Sequence, residues 1–351
     1  MKDWVEYAVE QTVNVLSIDS PSGFTARAAA YVMEEYRRLG YQPELTNKGG
    51  VVVCVSQGTQ PQEKERPETG AVFLEAHLDT LGAMVREVSD QGRLRLTPIG
   101  GMNPNNAEAE NCRVYTRGGK VFTGTFQMQN ASIHVNKAYN ATERSYKTME
   151  VVLDQLVEGR QDVLNLGIRC GDFVCFDPRT EVTESGFIKS RFLDDKLSVG
   201  ILLAHAKYLR DSGIKTPRRI YHHITVFEEV GHGGASSVPS DVTEAIAVDM
   251  GCVGDGLLCK ETQVSICAKD SGGPYHYDVV TGLVRAAERA GVDFAVDVYP
   301  DYASDVEVTL RAGWEIRHGL IGSGVYASHG YERSHKKGVE NTLALLRAYL
   351  G

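Results

Sequence analysis

With 351 residues, 42% hydrophobic and 24% charged, the chain has the composition of an ordinary folded protein, which excludes extended disorder and predicts one large domain plus a smaller one. Acids outnumber bases by 46 to 37 for a net charge of -9, spread along the sequence; phosphate backbones and anionic membranes would repel it, so neither nucleic acid nor a membrane is an expected partner. Charges at Lys2, Asp3, Glu6 and Glu10 stand where a signal peptide would be apolar, and no apolar run approaches the roughly 18 residues of a membrane span. The expectation is a soluble, cytoplasmic protein. The seven cysteines are odd in number and form no Cys-x-x-Cys pair, so most are expected to be buried small hydrophobes.

In chain order, an opening helix precedes Thr25 to Leu39, where Ala29, Val32, Met33, Tyr36 and Leu39 share one helical face between a capping-type Thr and Gly40. Val51 to Val55 and Val72 to Ala76 read as strands of a buried sheet, separated by a polar loop from Gln57 to Thr69. Further on, Lys196 to Asp211 is helical by period. Ile220 to Phe227 and Ala245 to Asp249 read as strands, Tyr277 to Ala290 as helix, Phe294 to Tyr299 as strand and Glu340 to Leu350 as a closing helix. Strands alternating with helices predict an α/β sheet covered on both faces.

From about Met84 to Lys189 the texture differs. Short alternating segments are broken by Asp90-Gln91-Gly92, Gly100-Gly101, Arg117-Gly118-Gly119 and Cys170-Gly171-Asp172, with one plausible helix near Thr148 to Leu156. This predicts an inserted small β-domain over 85–189, between 1–84 and 190–351 of the α/β domain.

The residues suited to chemistry stand at the edges of these elements. His77-Leu78-Asp79 follows a strand, where open α/β sheets build their sites. Residues i and i+2 of an extended segment point the same way, so Asp79 can reach the His77 imidazole and orient it. Asp194-Asp195-Lys196 opens a helix, where the acids could simply cap it. Glu228-Glu229-Val230-Gly231 follows a buried-type strand, and acids in such a place need a partner, most simply a cation. Asp249 again ends an apolar strand, and His329 follows the apolar stretch from Gly319 to Tyr326. Two imidazoles with several carboxylates offer the N and O ligands that a pair of divalent ions takes, and adjacent Glu228 and Glu229 can divide ligation from proton transfer.

The order His77-x-Asp79, a β-rich insert, Asp194-Asp195-Lys196, Glu228-Glu229-Val230-Gly231, Val248-Asp249 and a late His resembles the tetrahedral aminopeptidases, the glutamyl aminopeptidase or cellulase-M-like family of co-catalytic zinc peptidases. The resemblance covers nearly the whole chain. It implies a mixed sheet sandwiched by helices, with an inserted small β-barrel-like domain. It implies two divalent ions, zinc with cobalt or manganese possible: Asp194 bridges them, His77 and Asp249 hold one, and Glu229 and His329 hold the other. Glu228 is then the general base on a metal-bridging water, Asp79 supports His77, and the Asp194-Asp195 peptide is cis. The implied substrate is the N-terminus of a short peptide, and the implied assembly is a homo-oligomer, in this family commonly a tetrahedral dodecamer.

The sequence departs from the family pattern at two places. His232-Gly233-Gly234 follows Glu-Glu-Val-Gly where the family usually has a residue and then Arg-Gly, and Gly330-Tyr331-Glu332 follows His329 where the family has Ser/Thr-Pro and a Glu. His335 therefore stands as a rival ligand, and His232 is either a pocket residue or an inert loop His. The run His329 to His335 is similar to a subset associated with the osmolyte N-acetylglutaminylglutamine amide, which suggests a dipeptide-like substrate. Asp305 and Glu332 are the guesses for an anchor of the substrate amine. The rival readings are a metal-dependent deacylase or amidase on a small acylated dipeptide, and a non-catalytic scaffold. A glycosidase is disfavoured, since adjacent acids cannot flank a glycosidic bond at the usual separation of about 5–9.5 Å.

Overall fold

A computed structural model describes residues 1–59 and 70–351; most of the polar loop expected over Gln57 to Thr69 lies outside the described residues. The chain divides into two compact units, Met1–Asp79 with Thr180–Gly351, and Thr80–Arg179.

The first unit is built on a large mixed sheet. At its centre Ala71–His77 is buried at every residue, because parallel neighbours flank it on both sides, Ile220–Thr225 and Val242–Val248. Arg317–Tyr326 continues the parallel run beside Val242–Val248. Antiparallel strands then border this group, Val51–Ser56 beside Ile220–Thr225 and Val264–Asp270 beside Arg317–Tyr326. The continuous apolar spelling of the central strands is what burial on both faces demands. Strand Phe187–Ser190, which the sequence reading placed in the insert, pairs with Glu332–His335 and belongs to this unit.

Helix Leu193–Ser212 is buried along almost its whole length, as expected of a helix apolar on most of its circumference. It packs on the first helix, Lys2–Leu16. A side chain at Gly200 would collide with Thr12 and the Ala8 carbonyl, so glycine there lets the two backbones approach. Lys196 is buried, and its ammonium donates to the Val15 and Ile18 carbonyls at 3.0 and 2.7 Å, satisfying acceptors at the first helix's C-terminus. Ala26–Arg38 buries Ala29, Val32 and Tyr36 as its period requires, and Tyr277–Ala290 has the limits read from the sequence. The closing helix starts earlier than expected, at Lys336. Among the described residues no helix is long and apolar enough to cross a membrane.

The second unit is a closed six-stranded barrel of Gly82–Val88, Leu94–Ile99, Met149–Leu153, Val121–Met128, Glu110–Tyr115 and Phe173–Phe176, in that neighbour order. Its core includes Leu96, Val114, Val151 and the edge-to-face pair Phe126 and Phe176, with centroids 5.5 Å apart. The helix expected near Thr148 to Leu156 is instead a strand: Met149, Val151 and Leu153 point inward with half-exposed residues between them. The helix of this unit is Arg160–Leu166.

Candidate metal centre

Because four neighbouring strands run parallel, their carboxyl ends open on one edge of the sheet, where sites of this architecture form. Ala71–His77 delivers His77, Ile220–Thr225 leads to Glu228 and Glu229, Val242–Val248 to Asp249, and Arg317–Tyr326 to Ser328 and His329. The fifth contribution, Asp194 and Asp195, comes from the start of helix Leu193–Ser212, where both residues leave helical geometry and the peptide between them is cis, as the resemblance implied.

Asp194 lies between the two imidazoles. Its Oδ1 is 3.0 Å from His77 Nε2, and its Oδ2 is 3.6 Å from His329 Nε2 and accepts from the Ser328 hydroxyl at 3.0 Å. His329 Nε2 is also 3.6 Å from a Glu229 oxygen, and a Glu228 oxygen lies 3.8 Å from His77 Nε2. Two groups of potential ligand atoms result, each spanning no more than 4.8 Å: His77, Asp194 and Glu229, and His77, Asp195 and Asp249. Asp195, to which the sequence reading gave no role, thus stands beside Asp249, while one of its oxygens accepts the His77 N–H at 3.2 Å.

The electrostatics are those of crowded, buried acids. Burial pushes the carboxyls of Asp195, Glu228 and Glu229 well above their usual range. Burial, helped by the charge of Asp194, pushes Asp249 up to about 7. Burial is the largest single influence on Asp194 and His77 too, but their mutual hydrogen bond and the opposite charges around them together outweigh it, leaving Asp194 below the carboxylate range and His77 well above that of a free imidazole. Even so, Asp195 Oδ1 and Glu229 Oε1 are buried without a hydrogen-bond partner. The cavity over these groups holds about 580 Å³ and is lined by Asp194, Glu228, Glu229, Asp249, Ser328 and His329 together with an apolar and aromatic wall that includes Met250 and Tyr302.

Asp79 acts differently from the expectation. His77 Nδ1 meets the backbone carbonyl of Asp79 at 2.9 Å, whereas the nearer carboxylate oxygen is 3.8 Å away. The carboxylate instead accepts the N–H groups of Glu228 and Glu229 at 3.1 and 3.4 Å, and the Ser22 hydroxyl. Asp79 therefore fixes the turn that presents both glutamates. Neither guess for an amine anchor faces the cavity with a free oxygen: Asp305 accepts from Gly234 N–H and the Thr225 hydroxyl, and Glu332 accepts the N–H groups of Asp194 and His329. His335 is apart from the centre, one ring nitrogen accepting from Lys337 N–H at 3.0 Å and the other 2.9 Å from the Ser185 carbonyl. His232 sits on an exposed turn that is tied through its carbonyl to Lys48. Ser22 and Ser328 had no signal in the sequence, since each acts on a residue remote along the chain, whereas Asp195 was visible only as a member of the Asp194-Asp195-Lys196 run.

A family model described as M42 glutamyl aminopeptidase matches residues 58–345. The chain belongs to that family. YhfE of Bacillus subtilis (strain 168), provisionally named an aminopeptidase, is 41% identical over 346 residues, 99% of this chain and 98% of the relative. Among solved structures, aminopeptidase APDkam598 from the archaeon Desulfurococcus kamchatkensis matches with a TM-score of 0.85 at 22% identity, over 99% of this chain and 95% of that one. The TET1 peptidase of Pyrococcus horikoshii, described as assembling into a tetrahedron or a large octahedral shell, matches with a TM-score of 0.83 at 19% identity, over 98% and 99%. At such identities the structures establish a shared fold. Membership of the M42 family makes this chain a peptidase, a hydrolase of peptide bonds.

Proposed function

We propose that this M42 peptidase removes N-terminal residues from short peptides at a centre holding two divalent cations. Asp194 would bridge them, with His77 and Asp249 on one side and Glu229 and His329 on the other. The observation that carries this reading is Glu229 Oε1, a buried oxygen of a proposed ligand with no hydrogen-bond partner, in a site where imidazole and carboxylate atoms converge in two groups. Leaving a buried carboxylate oxygen unpaired is costly, and a cation held there would remove the cost. The donor set of imidazoles and carboxylates suits zinc, with cobalt or manganese also acceptable. Such ions would supply positive charge that polarises the scissile carbonyl and makes a water easier to deprotonate.

The protein's own groups do the rest. Glu228, on the cavity wall but outside both ligand groups, takes the proton from the attacking water and passes it to the leaving amine. Its raised carboxyl pKa, caused first by burial, suits a group that must hold that proton and then release it. Asp79 keeps Glu228 and Glu229 in their divided roles by gripping both amides. We extend to this chain the self-association described for its structural neighbours, a homo-oligomer of the tetrahedral or dodecameric kind; sedimentation measures it.

The test is turnover on a panel of free and N-acetylated short peptides, with Glu228→Gln beside the wild type. The expectation is cleavage of free N-termini, loss on acetylation, and a fall of about 10²–10⁴-fold in kcat for Glu228→Gln with metal content kept. Cleavage of acetylated substrates in preference to free ones would point to a deacylase instead. Full turnover by Glu228→Gln would remove Glu228 from the mechanism.

A further inference from the structure

Glu332 opens the strand Glu332–His335 and stands opposite Ser190 in the antiparallel pairing with Phe187–Ser190. That register sets its side chain beside the segment leading to Asp194. The carboxylate is 2% exposed. One oxygen accepts the Asp194 N–H at 3.1 Å and the other accepts the His329 N–H at 2.9 Å. A single planar group thus clasps the backbones of two residues whose side chains converge, His329 Nε2 lying 3.6 Å from Asp194 Oδ2.

The clasp acts where the backbone needs holding. Phe192, two residues before Asp194, has φ 69°, and Ala327 and His329 have φ 60° and 62°. Residues with a Cβ are unfavourable in this left-handed region and stay there only where the surroundings enforce it. Neither end of this arrangement is glycine, so neither segment is suited to those angles by its own sequence. Glu332 supplies an external restraint to both at once. It is absent from both ligand groups and from the lining of the cavity, so it meets neither ion nor substrate.

We infer that Glu332 is a positioning residue, which sets Asp194 and His329 at the separation a divalent cation requires by binding their two backbone amides. This rests on the metal-centre reading given above, and supporting groups of this kind typically alter metal affinity by about 10–100-fold. Glutamine has the same shape but only one acceptor oxygen, so its NH₂ would face one of the two N–H groups. Aspartate keeps the charge but is one methylene shorter and cannot reach both amides in the same way.

The experiment measures Zn²⁺ affinity of the full chain by competition with a chromophoric chelator, for wild type, Glu332→Gln, Glu332→Asp and Ser334→Ala. Ser334 is the control: it lies on the same strand, equally buried, and its hydroxyl donates to the Gly324 carbonyl at 2.7 Å, away from the ligands. The expected result is Zn²⁺ binding weakened about 10–100-fold in both Glu332 variants. Ser334→Ala should keep wild-type affinity even if its melting temperature falls. Circular dichroism identifies any unfolded variant, and the remaining Glu332 variant then decides. Affinity within twofold of wild type in a folded Glu332 variant overturns the inference while leaving the metalloenzyme reading intact. The same holds if Ser334→Ala loses affinity equally, or if Glu332→Asp retains it and so shows that charge alone matters. A wild type that binds no Zn²⁺, Co²⁺ or Mn²⁺ overturns the metal-centre reading itself, and this inference with it.

Discussion

Stripped of divalent cations, the protein should lose stability as the pH rises from 6.5 to 8. Burial, then the charge of Asp194, pushes Asp249 up to about 7, and burial pushes Glu75 up to about 8. In the unfolded chain both titrate near 4. Between the two values the folded state holds protons that the unfolded state has released. The associated stability is therefore complete below about pH 4 and is lost as the pH passes through 7 and 8. Over the interval 6.5 to 8 the two groups together remove about 2 kcal/mol, or about 3 °C in Tm for a chain of this length. His77, held well above its usual range, adds a loss of the same sign. Burial holds three other histidines low, His205 at about 3, His223 at about 4 and His222 well below its usual value. Their contribution has the opposite sign and is half-developed at pH 6.5, so over 6.5 to 8 the three together return about 1 kcal/mol, which offsets only part of the loss. Differential scanning fluorimetry in a chelating buffer reads the effect. Added Zn²⁺ should raise Tm more at pH 8 than at 6.5, because cations and protons compete for Asp249. A metal-free Tm that stays flat or rises over this interval would refute the reasoning.

Two substitutions probe the framework of the site. A side chain at Gly322 would overlap the backbone carbonyl of Asp249, which cannot move aside as a flexible side chain could; Gly322→Ala should cost about 1–3 kcal/mol and lower zinc content, measured by Tm and elemental analysis. A neutral result would mean that Asp249 is not held as described. Asp79→Asn leaves a buried N–H of Glu228 or Glu229 facing an amide NH₂, for about 1–3 kcal/mol of lost stability and a lower kcat/KM with secondary structure retained; unaltered kinetics would contradict its role in the glutamate turn.

Much of this was legible in the sequence because it follows from local periodicity. The central strand around Val72 to Ala76 is a continuous apolar run, and His77, Glu228 and Asp249 stand where such runs stop. The parallel pairing that aligns those ends is a tertiary fact, yet it follows from alternating strands and helices. The barrel strand Met149–Leu153 was misread because its apolar residues are so dense that helical and alternating periods both fit. The supporting groups were harder still. Ser22 acts on the Asp79 side chain and Glu332 on the backbone of Asp194, remote partners that no spacing rule connects, although Glu332 also holds the nearby His329 N–H. For Asp79 the residue was found but its target was not: extended-chain geometry aimed the carboxylate at His77, whereas the carbonyl serves the imidazole and the carboxylate serves the next loop.

The measurement that bears most directly on the whole account is anomalous X-ray scattering at the zinc edge from crystals grown with Zn²⁺. The account predicts two peaks per subunit with Asp194 between them, His77 and Asp249 at one, and Glu229 and His329 at the other. A single peak, or none among these side chains in a protein that nonetheless cleaves peptides, would contradict it.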